Sequence, residues 1–119
     1  MIKNVLIVGF GGMLGTILRY LAYILFGVYS FPFVTLFINI AGSLIIGIVT
    51  GIALKNVSFS EWRLFLAMGV CGGFTTFSAF SIESFMLLQQ NRNIAALIYI
   101  VSSLILGILA AAAGYFIGK

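Results

Sequence analysis

The stretch that decides the fold is V-C-G-G-F-T-T-F-S-A-F-S-I-E, residues 70–83. It places paired glycines, paired threonines and two serines inside a chain that is 63% hydrophobic. Two glycines followed by two β-branched residues disfavour a continuous helix. Backbone groups released by such a break need partners, because lipid offers none. The stretch therefore predicts a membrane helix that is broken over residues 72–75, where free backbone groups contact protein, water or an ion.

The composition of the whole chain predicts a membrane protein. Only 7% of the 119 residues are charged, whereas soluble domains carry about 25%. The net charge of +4 comes from scattered residues, so we expect no nucleic-acid partner, which would need a clustered basic face. The chain has no histidine and one cysteine, which excludes a histidine-based metal site and an internal disulfide.

Four apolar segments are each long enough to span a bilayer, which takes roughly 20 residues. A turn at Pro32 and the polar loops K-N-V-S-F-S-E and Q-Q-N-R-N separate them. We predict an all-α fold with a single transmembrane domain over residues 1–119 and the lipid bilayer as its surroundings. The predicted spans cover residues of about 4–28, 33–54, 62–88 and 94–118.

The positive charges favour one end of the molecule only weakly. Lys3, Lys55, Arg63 and Lys119 fall on the predicted side of the termini, and Arg92 falls on the other. The positive-inside rule favours internal termini, but a weak bias allows insertion both ways. We therefore consider an antiparallel dual-topology dimer, and also a chain of fixed orientation that needs a partner subunit.

Polar residues within predicted spans are candidates for function, because they are costly there. Arg19 either extends to the interface beside two tyrosines or lines a water-filled entrance for an anion. Asn39 either clamps two helices or lines a pathway, and the pathway is favoured. Glu83 is expected at a solvated helix end.

The deciding stretch also has a repeat of three, with phenylalanine at 74, 77 and 80 and hydroxyl residues at 75, 78 and 81. Residues three apart share a helix face. Ring edges carry partial positive charge, so rings and hydroxyls together could replace water around a small anion. The pattern alone fits equally well a packed phenylalanine stripe with hydroxyls bonded to their own helix.

Small residues recur at spacings that let membrane helices approach closely. We expect tight helix contacts, within the chain or with a second copy. The residues are Gly11 and Gly15, then Ser43, Gly47 and Gly51, then Ser103, Gly107 and Ala111.

Three motifs resemble those of the Fluc (CrcB) fluoride channels. They are G-G-x-x-G with R-Y in residues 11–20, N-x-x-G-S in 39–43 and the highly specific G-G-F-T-T-F-S-x-F-S in 72–81. The resemblance covers nearly the whole chain. It implies a passive fluoride channel rather than an enzyme, in a bacterial inner membrane. It further implies four spans with a broken third helix, an antiparallel dimer that exports fluoride, and a structural Na⁺ on the dimer axis.

The same resemblance implies particular site residues. The carbonyls of Gly72 and Thr75 would bind Na⁺. The fluoride pathway would be lined by Arg19, Asn39, Phe77, Ser78, Phe80, Ser81, Tyr99 and Ser103. Ala79 departs from the family pattern, which often has a hydroxyl residue there.

Two other functions are weighed against a channel. A small multidrug exporter would need a carboxylate in its first span, where this chain has Arg19 and no acid. A non-transporting membrane subunit that anchors a partner would not need polar residues at complementary positions on three spans.

Overall fold

The computed structural model describes residues 1–27 and 29–119. Within them, four helical segments are long and apolar enough to cross a membrane, which confirms the predicted all-α fold with four spans. The predicted end of the first span at residue 28 lies outside the described residues. The segments run over Ile2–Phe26 (α1), Phe33–Lys55 (α2), Val57–Gln89 and Asn93–Gly118 (α5).

The third segment consists of two helices joined by an extended link. Its first part, α3, joins Ser60–Arg63, a wider π-helical stretch over Leu64–Cys71, and Gly72–Phe74. A short 3₁₀ turn, Val57–Phe59, precedes it. Its second part, α4, covers Phe77–Gln89.

The break in the third segment lies at the threonines and not at the glycines. Thr75 has φ −81° and ψ 157°, and Thr76 has φ −150° and ψ 119°, so both are extended. Gly72 and Gly73 remain helical, contrary to the prediction that they begin the break. Thr76 ends the irregular link because its side chain caps α4, accepting a hydrogen bond from the Ala79 N–H.

Glycines hold α1 against α3, as the spacing of small residues predicts. A Cβ atom added at Gly11 would lie 2.6 Å from the Phe65 carbonyl oxygen, and one at Gly69 would lie 2.9 Å from the Gly11 Cα. A Cβ atom at Gly15 would overlap the Val70 carbonyl oxygen. The backbones are therefore in direct contact. The contact extends to Gly73, which faces Gly12 and Thr16.

A second tight contact joins α2 to α5. A Cβ atom at Gly47 would overlap the Ala111 carbonyl oxygen, and one at Gly51 would lie 2.5 Å from that of Tyr115. Without a hydrophobic force between helices in lipid, such van der Waals contact provides much of the stability. The predicted close packing thus occurs within one chain.

Both termini lie at the same end of the molecule. Lys3 Nζ contacts Glu61 Oε1 at 3.0 Å, and Lys55 Nζ donates to the Lys119 carbonyl at 2.7 Å. At the opposite end Arg92 donates to the Ser30 carbonyl. The described helices extend about 50 Å along the long axis, enough to cross a bilayer with its headgroup regions.

Candidate functional site

The side-chain amide of Asn39, on α2, is hydrogen-bonded to the backbone of Thr76 through both its nitrogen and its oxygen. Its Nδ2 donates to the Thr76 carbonyl at 3.2 Å, and its Oδ1 accepts from the Thr76 N–H at 2.9 Å. The side chain pairs with Thr76 as a neighbouring strand would. Asn39 therefore joins α2 to the break, which is the clamp that the sequence left as an alternative.

Arg19 of α1 reaches the break from the other side. Its Nε donates to the Gly73 carbonyl at 3.0 Å, and the side chain is half-buried. In a continuous helix that carbonyl would accept from the N–H of Phe77. Arg19 replaces this lost donor, so the side chain is directed into the protein and not to the interface.

The remaining carbonyls of the break differ in whether the described residues give them a hydrogen bond. The Cys71 carbonyl accepts from both the N–H and the Oγ1 of Thr75, at 2.9 and 2.8 Å. The carbonyls of Gly72, Phe74 and Thr75 have no such donor. Two of these three are the carbonyls that the resemblance implies as Na⁺ ligands, and Phe74 is a further free carbonyl that the sequence did not suggest.

A groove of about 370 Å³ runs beside the break. The polar groups along it come from α2, the break and α5, three parts of the chain that are far apart in sequence. Phe77, which forms one wall, is 79% exposed in the single chain. The groove-lining residues used below are Asn39, Gly72, Thr75, Phe77, Phe80 and Ser103.

Ser103 has an unusual place in this groove. Its Oγ is buried and has no hydrogen-bond partner among the described residues. Its neighbour Ser102, by contrast, bonds back to the Ile98 carbonyl at 2.5 Å. Ser103 therefore has an unused donor and acceptor beside the groove. A buried hydroxyl without a partner is costly, so this arrangement needs an explanation.

Four of the eight predicted pathway residues line this groove, and four do not. Ser81 Oγ bonds back to the Phe77 carbonyl at 2.9 Å, as the alternative interpretation of the hydroxyl stripe expects. Ser78 Oγ pairs with Thr76 Oγ1 at 3.1 Å. Arg19 binds the break, and Tyr99 is fully buried behind the groove, with its ring centroid 5.2 Å from that of Phe80.

Glu83 lies in a hydrogen-bonded cluster and not at a solvated helix end. Its Oε2 accepts from Thr35 Oγ1 at 3.0 Å, and its Oε1 accepts from the Tyr99 hydroxyl at 3.1 Å. The Tyr23 hydroxyl contacts Thr35 Oγ1 at 2.5 Å, so the cluster joins α1, α2, α4 and α5. Sequence reasoning missed this cluster, although Glu83 continues the spacing of three from Phe77 and Phe80.

The fold and the site together define a multi-pass membrane protein with a broken third span. A family model described as CrcB-like protein, Camphor Resistance (CrcB), matches residues 6–115. The chain belongs to this family.

Curated relatives from bacteria agree with this assignment. Proteins named fluoride-specific ion channel FluC from Flavobacterium psychrophilum, Nitrobacter winogradskyi and Thermus thermophilus are 42%, 43% and 45% identical to it. The alignments cover 98%, 92% and 98% of this chain and 98%, 90% and 94% of the relatives. These names describe channels and not enzymes, in agreement with the expectation from the sequence.

Proposed function

We propose that this protein is a passive fluoride channel that lowers cytoplasmic fluoride by letting it leave the cell. The supporting observation is the groove that brings Asn39, Phe77, Phe80 and Ser103 together beside the break. The relatives named as fluoride-specific channels supply the identity of the ion. The groove supplies hydrogen-bond donors and ring edges, which suit a small anion.

The working unit in this proposal is an antiparallel dimer of two copies of the chain. In a single chain Gly72 and Phe77 are exposed at the middle of the third span, next to the polar groove and the free carbonyls. Polar backbone cannot face hydrocarbon, so another protein surface must cover it. A second copy inserted in the opposite direction brings the same break to the same membrane depth.

The free carbonyls of Gly72 and Thr75 fit a Na⁺ ion at the axis of this dimer. Unwound carbonyls recur as Na⁺ ligands in membrane proteins, and these two receive no hydrogen bond from the described residues. The ion would supply positive charge and hold the two breaks together. One chain offers few such ligands, so both copies would contribute.

The test is ion efflux from liposomes that contain the purified protein, measured with a fluoride electrode and repeated with chloride. We expect fluoride efflux and no chloride efflux, and no fluoride efflux from a folded dimer would overturn the proposal. Phe77→Ile should lower the rate, whereas Phe116→Ile, at another exposed phenylalanine outside the groove, should not. Replacing Na⁺ with a larger cation should also lower the rate.

A coupled transporter is the second candidate, and Glu83 is the observation that favours it. A carboxylate inside a span is a common proton-relay group. The same liposomes separate the two functions. A channel carries charge, so its fluoride efflux needs an ionophore such as valinomycin with K⁺, whereas electroneutral co-transport of fluoride with a proton proceeds without one.

The orientation of the chain is a separate test. A reporter fused to the C-terminus should be found on both sides of the membrane if the chain inserts both ways. A single orientation would exclude the antiparallel homodimer and would favour a paralogous partner subunit.

A further inference from the structure

The two free carbonyls of the proposed cation site have each lost a specific donor. In a continuous α-helix the N–H of residue i+4 binds the carbonyl of residue i. The Gly72 carbonyl would thus accept from the Thr76 N–H, and the Thr75 carbonyl from the Ala79 N–H.

Both of these donors are captured by side-chain acceptors. The Thr76 N–H donates to Asn39 Oδ1 at 2.9 Å, and the Ala79 N–H donates to Thr76 Oγ1 at 3.1 Å. These two bonds remove the helical partners of the carbonyls at positions 72 and 75. The geometry of the break therefore depends on two acceptor atoms outside the helical hydrogen-bond pattern.

Two neighbouring carbonyls, by contrast, each accept a hydrogen bond from a side-chain donor. Arg19 Nε occupies the Gly73 carbonyl, and Asn39 Nδ2 occupies the Thr76 carbonyl. Gly42, one turn after Asn39 on α2, leaves room for the γ-methyl of Thr75 against the helix, since a Cβ atom there would overlap that methyl. The surface of α2 thus accommodates the break and binds it.

We infer that Asn39 and Thr76 are positioning residues that open the Gly72 and Thr75 carbonyls by capturing their helical donors. The inference deepens the proposed Na⁺ site and rests on it only for the identity of the ion. Asn39 acts here through the backbone and not as a ligand. Its second amide N–H remains available to the groove.

The test uses Thr76→Val, which removes the acceptor Oγ1 and keeps the β-branched shape. Thr76→Ser keeps the acceptor and should restore the wild-type behaviour. Thr50→Val is the matched control, because the Thr50 hydroxyl donates to the Ile46 carbonyl of its own helix.

The first measurement is the thermal unfolding midpoint of the purified full-length protein as Na⁺ replaces a large organic cation. Thr76→Val should need roughly tenfold more Na⁺ for half of the stabilisation. In a dimer of this variant the Thr75 carbonyl of each copy regains its hydrogen bond from the Ala79 N–H. Both of these bonds must break before the ion binds. Thr76→Ser and Thr50→Val should match the wild type. A wild-type Na⁺ requirement in Thr76→Val would overturn the inference.

The second measurement is the carbonyl ¹³C chemical shift of Gly72 and Thr75 in the isotope-labelled protein. It depends on neither Na⁺ nor fluoride flux. The Thr75 shift should move to the helical value in Thr76→Val and stay in Thr76→Ser. An unmoved Thr75 shift in Thr76→Val would overturn the inference even in a working channel. A moved shift supports it even if the wild type proves insensitive to Na⁺ or inactive with fluoride.

If Thr76→Val does not fold, Asn39→Asp provides the measurement. Its carboxyl oxygen can still accept from the Thr76 N–H, so the Gly72 carbonyl shift should remain at its wild-type value. A Gly72 shift at the helical value in Asn39→Asp would contradict the inference.

Discussion

The hydroxyl of Tyr99 donates a hydrogen bond to Glu83 Oε1 at 3.1 Å, and Tyr99 is fully buried. This bond links α5 to α4 immediately behind the groove, because the Tyr99 ring also packs against Phe80. The tyrosine that the resemblance places in the fluoride pathway therefore has its hydroxyl occupied by a carboxylate.

Tyr99→Phe should lower the stability of the protein and affect transport less. The ring remains against Phe80, but Glu83 loses one of its two donors, which costs about 1.5–3 kcal/mol for a bond to a charged group. Thermal unfolding and fluoride efflux per amount of folded protein measure the two effects. Tyr20→Phe, at a tyrosine that is 66% exposed, is the control. Unchanged stability with a large loss of efflux would instead place the hydroxyl in the pathway.

Gly15→Ala should prevent folding or strongly destabilise the protein. The added Cβ atom overlaps the Val70 carbonyl and lies 2.8 Å from the Phe74 backbone nitrogen, so α1 and α3 must separate. Gly9→Ala is the matched control in the same helix, because nothing lies within 4 Å of its added Cβ atom. It should stabilise the helix by up to about 1 kcal/mol. Yields of folded protein by size-exclusion chromatography would distinguish them, and equal yields would contradict the described contact.

Arg19→Gln and Arg19→Leu should separate the hydrogen bond of Arg19 from its charge. The amide nitrogen of glutamine is attached to Cδ as Nε is in arginine, so it can still donate to the Gly73 carbonyl. Leucine cannot, and the carbonyl left without a partner costs about 1–3 kcal/mol. We expect the unfolding temperature to fall for leucine and to be largely retained for glutamine.

The charge of Arg19 has its own measurement. If the guanidinium attracts anions, Arg19→Gln should lower fluoride efflux at low salt more than at high salt, because ions screen charges. Efflux of Arg19→Gln that equals the wild type at every salt concentration would leave only the structural role.

Ser103→Ala should raise or preserve stability and lower fluoride efflux. Its buried Oγ has no partner among the described residues, so its removal takes away a desolvation cost of about 1–3 kcal/mol. Under the proposed function, transport uses this hydroxyl. Ser102→Ala, which removes a hydroxyl bonded to its own helix, is the control. Undiminished efflux with Ser103→Ala would remove Ser103 from the pathway.

The sequence alone determined the membrane class, the four spans and the presence of a break. These follow from local properties: apolar length, the shortage of charge and the low helix propensity of residues 72–76. The close contacts at Gly11 and Gly47 also followed from spacing, because only a residue without a side chain allows backbones to touch.

Only the tertiary structure decided where the break lies and what each polar side chain does. Gly72 and Gly73 stay helical, with the backbone of Gly73 packed on α1, whereas Thr75 and Thr76 are held extended by contacts with α2. The partners of Glu83 lie 48 and 16 residues away in sequence. Hydrogen bonds between helices depend on how the helices are arranged in space, and local sequence patterns do not contain that arrangement.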